Sequence, residues 1–284
     1  MQDFVHLHVH SQYSILDGQA AIKKLVDKAI ADGMKGIAVT DHGNMMGIKE
    51  FYNYVSKVNK GKAPEEMFKP IIGCEVYIAP RRLQDKETKD DRGYHLILLA
   101  KNEKGYHNLV KIVSKAWSEG YYYNPRTDKS EVEKYHEGII CCSACLGGEV
   151  PQLIKNGKID EAEAVVNWYK NLFGEDYYLE LQLHKATVER ANHEVYPLQV
   201  EVNKHIIELS KKCGVKLICS NDVHFVDEEN AEAHDRLICL STGKDLDDPT
   251  RMRYTGEEYF KSTEEMAALF ADYPEALETT VEIA

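Results

Sequence analysis

Two pairs of residues that can bind a metal ion lie near opposite ends of this sequence. His8 and His10 end the first predicted strand, and residues two apart on a strand point to the same side, so both imidazoles can contact one ion. Asp222 and His224 repeat this spacing after the last predicted strand. A single His-x-His motif is weak evidence, but the two matching pairs together indicate a metal site.

Five further residues with metal-binding side chains fall near other predicted strands: Asp17, His42, Glu75, His95 and Cys145. Imidazole, carboxylate and thiolate donors suit zinc or a similar transition ion and do not suit calcium. One catalytic zinc uses about three protein ligands, so nine candidates predict a cluster of about two or three ions. Simpler explanations remain open for single residues, such as a turn at His42, an arginine partner for Glu75 and plain burial of Cys145.

Such a cluster favours phosphoester hydrolysis. Bound divalent ions lower the pKa of a water molecule toward neutrality and hold a phosphoryl group during in-line attack. Three ions need at least about twelve bonds, which predicts a bridging carboxylate and open positions for water and substrate.

Seven predicted strands alternate with helical patterns, and they cover residues 4–9, 36–40, 70–78, 95–100, 138–143, 177–183 and 215–220. This alternation predicts an α/β fold with a mainly parallel sheet that is closed or nearly closed on itself. The carboxyl ends of strands in a parallel barrel converge on one face, where barrel sites are built. An open doubly wound sheet is the alternative, although no Gly-x-Gly-x-x-Gly motif follows the first strand.

The composition excludes several classes of protein. The chain has 284 residues, of which 43% are hydrophobic and 29% charged, so wholesale disorder is excluded. Its net charge of −12 disfavours coating of duplex DNA by charge alone, but leaves nucleic acid open as a substrate. No apolar run approaches the roughly 20 residues that cross a bilayer, so no membrane partner is expected. Seven cysteines without framework spacing, and no secretory signal, predict a cytoplasmic location.

Motifs along nearly the whole chain resemble those of the polymerase and histidinol phosphatase (PHP) family. The matching segments are residues 4–11, 13–18, 38–45, 70–77, 95–100, 178–182 and 220–224. Within that family the chain is similar to the N-terminal PHP domains of bacterial DNA polymerase III alpha subunits. The resemblance implies a distorted seven-stranded (β/α)7 barrel over residues 1–270, with residues 271–284 beginning the connection to the polymerase domains.

By that resemblance, a site of up to three ions, Zn²⁺ or Mn²⁺, would have nine ligands: His8, His10, Asp17, His42, Glu75, His95, Cys145, Asp222 and His224. Glu75 would bridge ions, Asp222 would help to place the attacking hydroxide, and His224 with His42 would orient the phosphate-binding ion. Catalytic roles are therefore expected for Glu75, Asp222 and His224. His184 is a candidate substrate residue, with packing as its alternative.

Residues 121–126 offer a second candidate contact with substrate. Tyr121, Tyr122 and Tyr123 could stack on unpaired bases, and Arg126 could contact a phosphate. A packed loop anchored by its aromatic side chains explains the same residues equally well.

The resemblance further implies a role in DNA replication and a metal-dependent 3′→5′ exonuclease that acts on single-stranded DNA 3′ ends. The expected partners are that DNA, the remaining domains of a polymerase alpha subunit and other replisome proteins. No polymerase palm carboxylate pattern is present, so nucleotide addition is not expected from these residues. One alternative is a metal-braced structural domain without its own activity. Another is a small-molecule phosphatase such as a histidinol phosphatase.

Overall fold

The computed structural model describes residues 3–88 and 92–284. The strands in these ranges are β1 (Gly36–Val39), β2 (Lys69–Ile78), β3 (Tyr94–Ala100), β4 (Arg126–Thr127), β5 (Ile139–Cys142), β6 (Tyr177–Leu181) and β7 (Lys216–Cys219). The α-helices are α1 (Ile22–Ala31), α2 (Ile48–Val58), α3 (Glu103–Ser118), α4 (Lys129–Tyr135), α5 (Glu149–Lys155), α6 (Ile159–Phe173), α7 (Val195–Cys213), α8 (Ala231–Thr242), α9 (Thr263–Leu269) and α10 (Pro274–Ile283).

The strands form one mixed sheet in the order β1-β2-β3-β5-β6-β7, with the short β4 paired to β2. Most pairs are parallel, but β3 runs antiparallel to both β2 and β5, which corrects the expectation of a mainly parallel sheet at this strand. The reversal matters for the site. Tyr77 near the end of β2 pairs with His95 at the start of β3, so His95 reaches the same edge as the carboxyl ends of the neighbouring strands.

The predicted first strand is extended backbone that closes the sheet rather than one of the regular strands. Its residues accept hydrogen bonds from the β1 side, where the Ala38 amide donates to His6 O (2.9 Å) and the Thr40 amide to Val9 O (2.9 Å). On the other side, the His10 amide donates to Val223 O (2.7 Å), just beyond β7. This seam joins the two ends of the sheet. The predicted distorted seven-stranded barrel is confirmed, with the closing segment beside the six strands of the sheet order and the short β4 paired to β2 outside that order.

Amphipathic helices cover the outside of the barrel. Helix α2, for example, buries Phe51 and Val55 while its opposite face is exposed. The last two helices are α9 and α10, and α10 packs against β7. There the Thr280 hydroxyl accepts a hydrogen bond from the Val5 amide (3.0 Å), which ties α10 to the closing segment. In the described ranges, no helix combines the length and apolar character needed to cross a bilayer.

Candidate metal centre

The nine predicted ligands lie together at one end of the barrel. Their donor atoms form three overlapping groups, within each of which all atoms are at most 4.8 Å apart: His8, His10 and Glu75; His10, His42 and His224; Glu75, His95 and Cys145. The two aspartates join these groups. Asp222 Oδ1 lies 3.1 Å from His8 Nε2, and Asp17 Oδ2 lies 2.7 Å from His42 Nε2.

Glu75 occupies the centre of the cluster and is completely buried. Its Oε1 lies 2.9 Å from His95 Nδ1 and 3.3 Å from His8 Nε2. Its Oε2 contacts His42 Nδ1 and lies 3.8 Å from His10 Nε2. One carboxylate thus faces imidazoles on both of its oxygens, and each oxygen would be available to an ion held by the neighbouring imidazoles.

Local backbone features bring these side chains together. Residues His42 and Glu75 form a parallel bridge, and the Gly43 amide donates to Glu75 O (2.8 Å), so the loop after β1 is fixed against β2. A Cβ at Gly147 would lie 2.9 Å from His95 Nδ1, and the missing side chain therefore lets the Cys145 loop approach this imidazole. Asp222 has a φ of 45°, a costly left-handed conformation for an aspartate, and such strain is found where function fixes a side chain.

Several buried polar atoms in the cluster lack a hydrogen-bond partner among the described residues. They are His8 Nε2, His10 Nε2, His42 Nδ1, Glu75 Oε2 and Asp222 Oδ1. These atoms lie against one another as ion-pair contacts without hydrogen-bond geometry: Asp222 Oδ1 is 3.1 Å from His8 Nε2 and 3.2 Å from His10 Nε2, and Glu75 Oε2 contacts His42 Nδ1. Nitrogen, oxygen and sulfur donors at these spacings fit zinc or a similar transition ion, and the residues present therefore fit the metal that the sequence indicates.

The other nitrogen of three imidazoles is held by a neighbouring group. His8 Nδ1 lies 2.7 Å from Glu180 Oε1, His10 Nδ1 lies 3.1 Å from Ser14 Oγ, and His224 Nδ1 lies 2.7 Å from Asp222 O. Such contacts orient a ligand ring and fix its tautomer. Sequence reasoning missed Glu180 as part of the site. The sequence feature that could have identified it is an acidic residue inside a strand of otherwise apolar and aromatic residues.

Opposite charges compensate one another in this cluster. Burial favours the neutral carboxyl of Glu75, but His95 and His42 outweigh it and hold the pKa of Glu75 well below its usual range. Burial likewise opposes the charged form of His8, yet Asp222 and then Glu180 raise the pKa of His8 well above the ordinary value. A metal ion that binds here must therefore displace protons from imidazoles.

Cys145 contributes a thiol to the edge of the cluster. Its Sγ lies 3.5 Å from His95 Nδ1 and accepts a hydrogen bond from the Gly147 amide (3.5 Å). Burial, followed by the charges of Asp222 and Glu75, raises the pKa of this thiol well above its usual value. A bound divalent ion reverses that preference, because a coordinating thiol is deprotonated outright.

A cavity of about 670 Å³ opens in front of the cluster, and His184 lines it. This side chain is 3% exposed, and both of its ring nitrogens are engaged. Nε2 lies 3.0 Å from Asn221 O, and Gln199 donates to Nδ1 (3.0 Å). His184 therefore forms part of the cavity wall next to the cluster while also packing within the barrel.

Arg126 does not fit the predicted phosphate contact. Its side chain is completely buried, and it donates hydrogen bonds to the backbone oxygens of Gly120 (3.0 Å), Asp85 (2.9 Å) and Leu83 (2.8 Å). The expectation of a substrate contact is corrected here, because the guanidinium is used to join two loops and is not accessible from solvent.

Tyr254 is a further site residue that the sequence did not reveal. Its hydroxyl donates to Asp17 Oδ1 (2.9 Å) and lies 3.3 Å from His224 Nε2. It comes from a segment, residues 246–254, whose pattern indicates only a loop. A tyrosine in a loop has no periodicity that links it to a site, so only the three-dimensional structure identifies it.

Comparison with known proteins gives consistent relatives. The family model described as the PHP domain matches residues 6–184. The chain is 45% identical to the DNA polymerase III subunit alpha of Borreliella burgdorferi strain B31, and 44% identical to that of Treponema pallidum strain Nichols. Each alignment covers 99% of this chain and 23% of the relative, so the chain spans about a quarter of the length of these curated relatives.

Two solved structures match this chain more distantly. An amidohydrolase from Chromobacterium violaceum has a TM-score of 0.46 and 14% identity, covering 78% of this chain and 87% of its own. A histidinol phosphate phosphatase from Lactococcus lactis, solved with zinc, L-histidinol and phosphate, has a TM-score of 0.40 and 14% identity, covering 91% of this chain and 99% of its own. On the family match and the sequence identity to the alpha subunits, this chain belongs to the PHP domain family.

Proposed function

We propose that this chain is the PHP domain of a bacterial DNA polymerase III alpha subunit and hydrolyses phosphodiesters as a metal-dependent 3′→5′ exonuclease on single-stranded DNA. One observation carries the proposal: buried imidazole, carboxylate and thiol donors converge on Glu75, and five polar atoms there lack a hydrogen-bond partner among the described residues. Sequence identity to DNA polymerase III alpha subunits over 99% of the chain supports DNA as the substrate.

The nine side chains would hold about two or three Zn²⁺ or Mn²⁺ ions, which when bound lower the pKa of a water molecule and bind phosphoryl oxygens. Glu75 supplies two carboxylate oxygens from a fixed, fully buried position. Asp222 Oδ1 lies 3.1 Å from His8 Nε2 and 3.2 Å from His10 Nε2, and this carboxylate would help to position the attacking water. His224 and His42 both face Asp17 and would orient the ion that binds the phosphate.

A 5′-labelled single-stranded oligonucleotide tests the activity directly. The metal-loaded chain is expected to shorten it stepwise from its 3′ end, and Asp222→Asn should slow cleavage at least about 100-fold, the scale of losing a major electrostatic contribution to catalysis. His107→Ala, which changes an exposed histidine on α3, is the control and should cleave like wild type. Equal cleavage by Asp222→Asn would assign the nuclease to a contaminant and end the proposal.

A metal-braced domain without turnover is the second candidate. It is favoured by the spread of the cluster along the chain, because ions held by residues from His8 to His224 would join the closing segment to β2, β3 and the end of β7. Metal chelation would then lower the melting temperature while no oligonucleotide is cleaved. Hydrolysis of p-nitrophenyl phosphate or histidinol phosphate without cleavage of DNA would instead favour a small-molecule phosphatase.

The partners and location follow from the same proposal. The remaining domains of the alpha subunit would contact this barrel within one polypeptide, and other replisome proteins would meet it as part of the polymerase. Cytoplasmic location is proposed on the homology to replicative polymerases. Co-purification of the barrel with separately expressed polymerase domains tests the intramolecular contact.

A further inference from the structure

A second cavity, of about 380 Å³, lies beside the metal centre. It has His42 and Asp17 of the cluster in its lining, and its outer wall carries Trp117, Tyr121 and Tyr123. We call this cavity the aromatic groove. It adjoins the candidate site, because His42 also lines the larger cavity in front of the cluster.

The rings on the outer wall are exposed. Trp117 is 43%, Tyr121 51% and Tyr123 54% exposed, so they contribute little to the barrel core. The centroids of Trp117 and Tyr121 are 5.7 Å apart with 30° between their planes, which gives a nearly continuous aromatic face. Tyr123 has a φ of 61°, a strained conformation for a tyrosine. A strained backbone and exposed aromatic rings both lower the stability of the folded protein, and together in one groove they indicate an interaction site.

The aromatic groove is fixed in position relative to the cluster. Trp117 Nε1 donates a hydrogen bond to the Gly43 carbonyl (2.7 Å), directly after His42. A Cβ at Gly43 would lie 2.5 Å from Pro125 Cγ, so the glycine lets the tyrosine-containing loop pack onto the loop that carries His42. The aromatic wall is therefore held against the loop that carries a candidate ligand.

We propose that the aromatic groove binds the bases of single-stranded DNA next to the cleaved phosphodiester. Every base has a flat face that stacks on tryptophan or tyrosine, and sequence-tolerant binding of single strands uses such aromatic platforms. A chain with a net charge of −12 has little capacity to bind DNA by phosphate contacts alone, so base contacts have to contribute more. This inference rests on the proposed nuclease function and assigns the surface that holds its substrate.

Direct binding measurements test the aromatic groove without relying on turnover. The probe is fluorescein-labelled dT12 with phosphorothioate linkages at its 3′ end, titrated with the metal-loaded chain and followed by anisotropy. Tyr121→Ala and Tyr123→Ala should each weaken binding about five-fold or more. Tyr52→Ala, which removes an equally exposed (54%) tyrosine from α2, is the matched control and should bind like wild type.

Two further arms separate base stacking from phosphate binding. A 12-residue abasic oligonucleotide keeps the phosphates and should bind at least about five-fold more weakly than dT12. The chain has two tryptophans, so a Trp168→Phe variant reports the fluorescence of Trp117 alone. Binding of dT12 should quench this fluorescence, and inorganic phosphate should not.

Failure of this inference and failure of the nuclease proposal give different results. If wild type cleaves DNA but the tyrosine variants bind dT12 normally, the aromatic groove is not the DNA surface. If those variants lose binding while wild type cleaves nothing, the groove stands as a DNA site and the nuclease proposal falls. Absence of dT12 binding and of Trp117 quenching would overturn the inference and leave a protein segment as the occupant to test.

Discussion

Glu180 Oε1 lies 2.7 Å from His8 Nδ1, on the far side of the imidazole from the nitrogen that faces Glu75 and Asp222. Both residues are almost completely buried, so water cannot replace this contact. A carboxylate in this position makes the ring a better ligand and holds its orientation. Glu180 therefore belongs to the metal centre although it need not touch an ion.

Replacing Glu180 by glutamine tests that relationship. Glu180→Gln keeps the shape of the side chain and removes its charge, so we expect metal affinity to fall about 10–100-fold. Competition with a chelator of known affinity measures the change. Glu201→Gln, on the exposed side of α7, is the control and should leave the affinity unchanged. Unchanged affinity in Glu180→Gln would mean that His8 is oriented by packing alone.

Metal content should depend on the thiol at the edge of the cluster. Cys145→Ala removes one of three donors in the group formed with Glu75 and His95, so we expect about one ion fewer per chain. Elemental analysis of the purified variant measures this loss. Cys239→Ala, on α8, is the matched control because it changes a cysteine outside the cluster. Equal metal content in the two variants would show that Cys145 is not a ligand.

Removal of the metal should destabilise the fold. A ligand present at 100 times its Kd stabilises the folded state by about 2.7 kcal/mol, which corresponds to roughly 5–10 °C for a chain of this size. Chelation should lower the melting temperature by that order, and Zn²⁺ or Mn²⁺ should restore it. Glu75→Gln should abolish most of the response, measured by differential scanning fluorimetry. A melting temperature that chelation leaves unchanged would contradict a metal that is bound in the folded protein.

Arg126 is expected to support stability and not substrate binding. Arg126→Met removes donors from the backbone oxygens of Gly120, Asp85 and Leu83, and each oxygen left unsatisfied in the interior costs about 1–3 kcal/mol. We therefore expect a clear drop in the urea midpoint. The KM for a single-stranded oligonucleotide should be unchanged well below the melting temperature. Arg236→Met, which changes an exposed arginine on α8, controls for the loss of charge.

Residue types and spacing predicted much of this molecule. The pairs His8/His10 and Asp222/His224 meet in the structure because their segments are hydrogen-bonded neighbours at the closing seam, through Val9 and Val223. Apolar runs predicted the regular strands β1, β2, β3, β5, β6 and β7 because buried strands need such runs, whereas the two-residue β4 was not predicted. Their bounds are mostly within about two residues of the observed ones, the usual uncertainty at strand ends.

Strand direction and the surroundings of single side chains were beyond sequence reasoning. An apolar run such as β3 reads the same whichever way the strand runs, so the sequence could not predict that β3 is antiparallel to its neighbours. The position of His95 in the cluster depends on that direction and was therefore identified only from the structure. Arg126 was misassigned because a charged side chain near three tyrosines resembles a ligand contact. Its burial depends on carbonyls at residues 83, 85 and 120, which no local pattern marks.

The closing seam between residues 8–10 and Val223 also constrains the order of events in folding. Because the segment that begins the barrel pairs with one that is synthesised more than two hundred residues later, the ring cannot close while the ribosome is still translating the central strands. Contacts between such distant segments form slowly. Asp222 and His224 arrive only with that final segment, so a complete binding centre exists only after the last strand has joined the first.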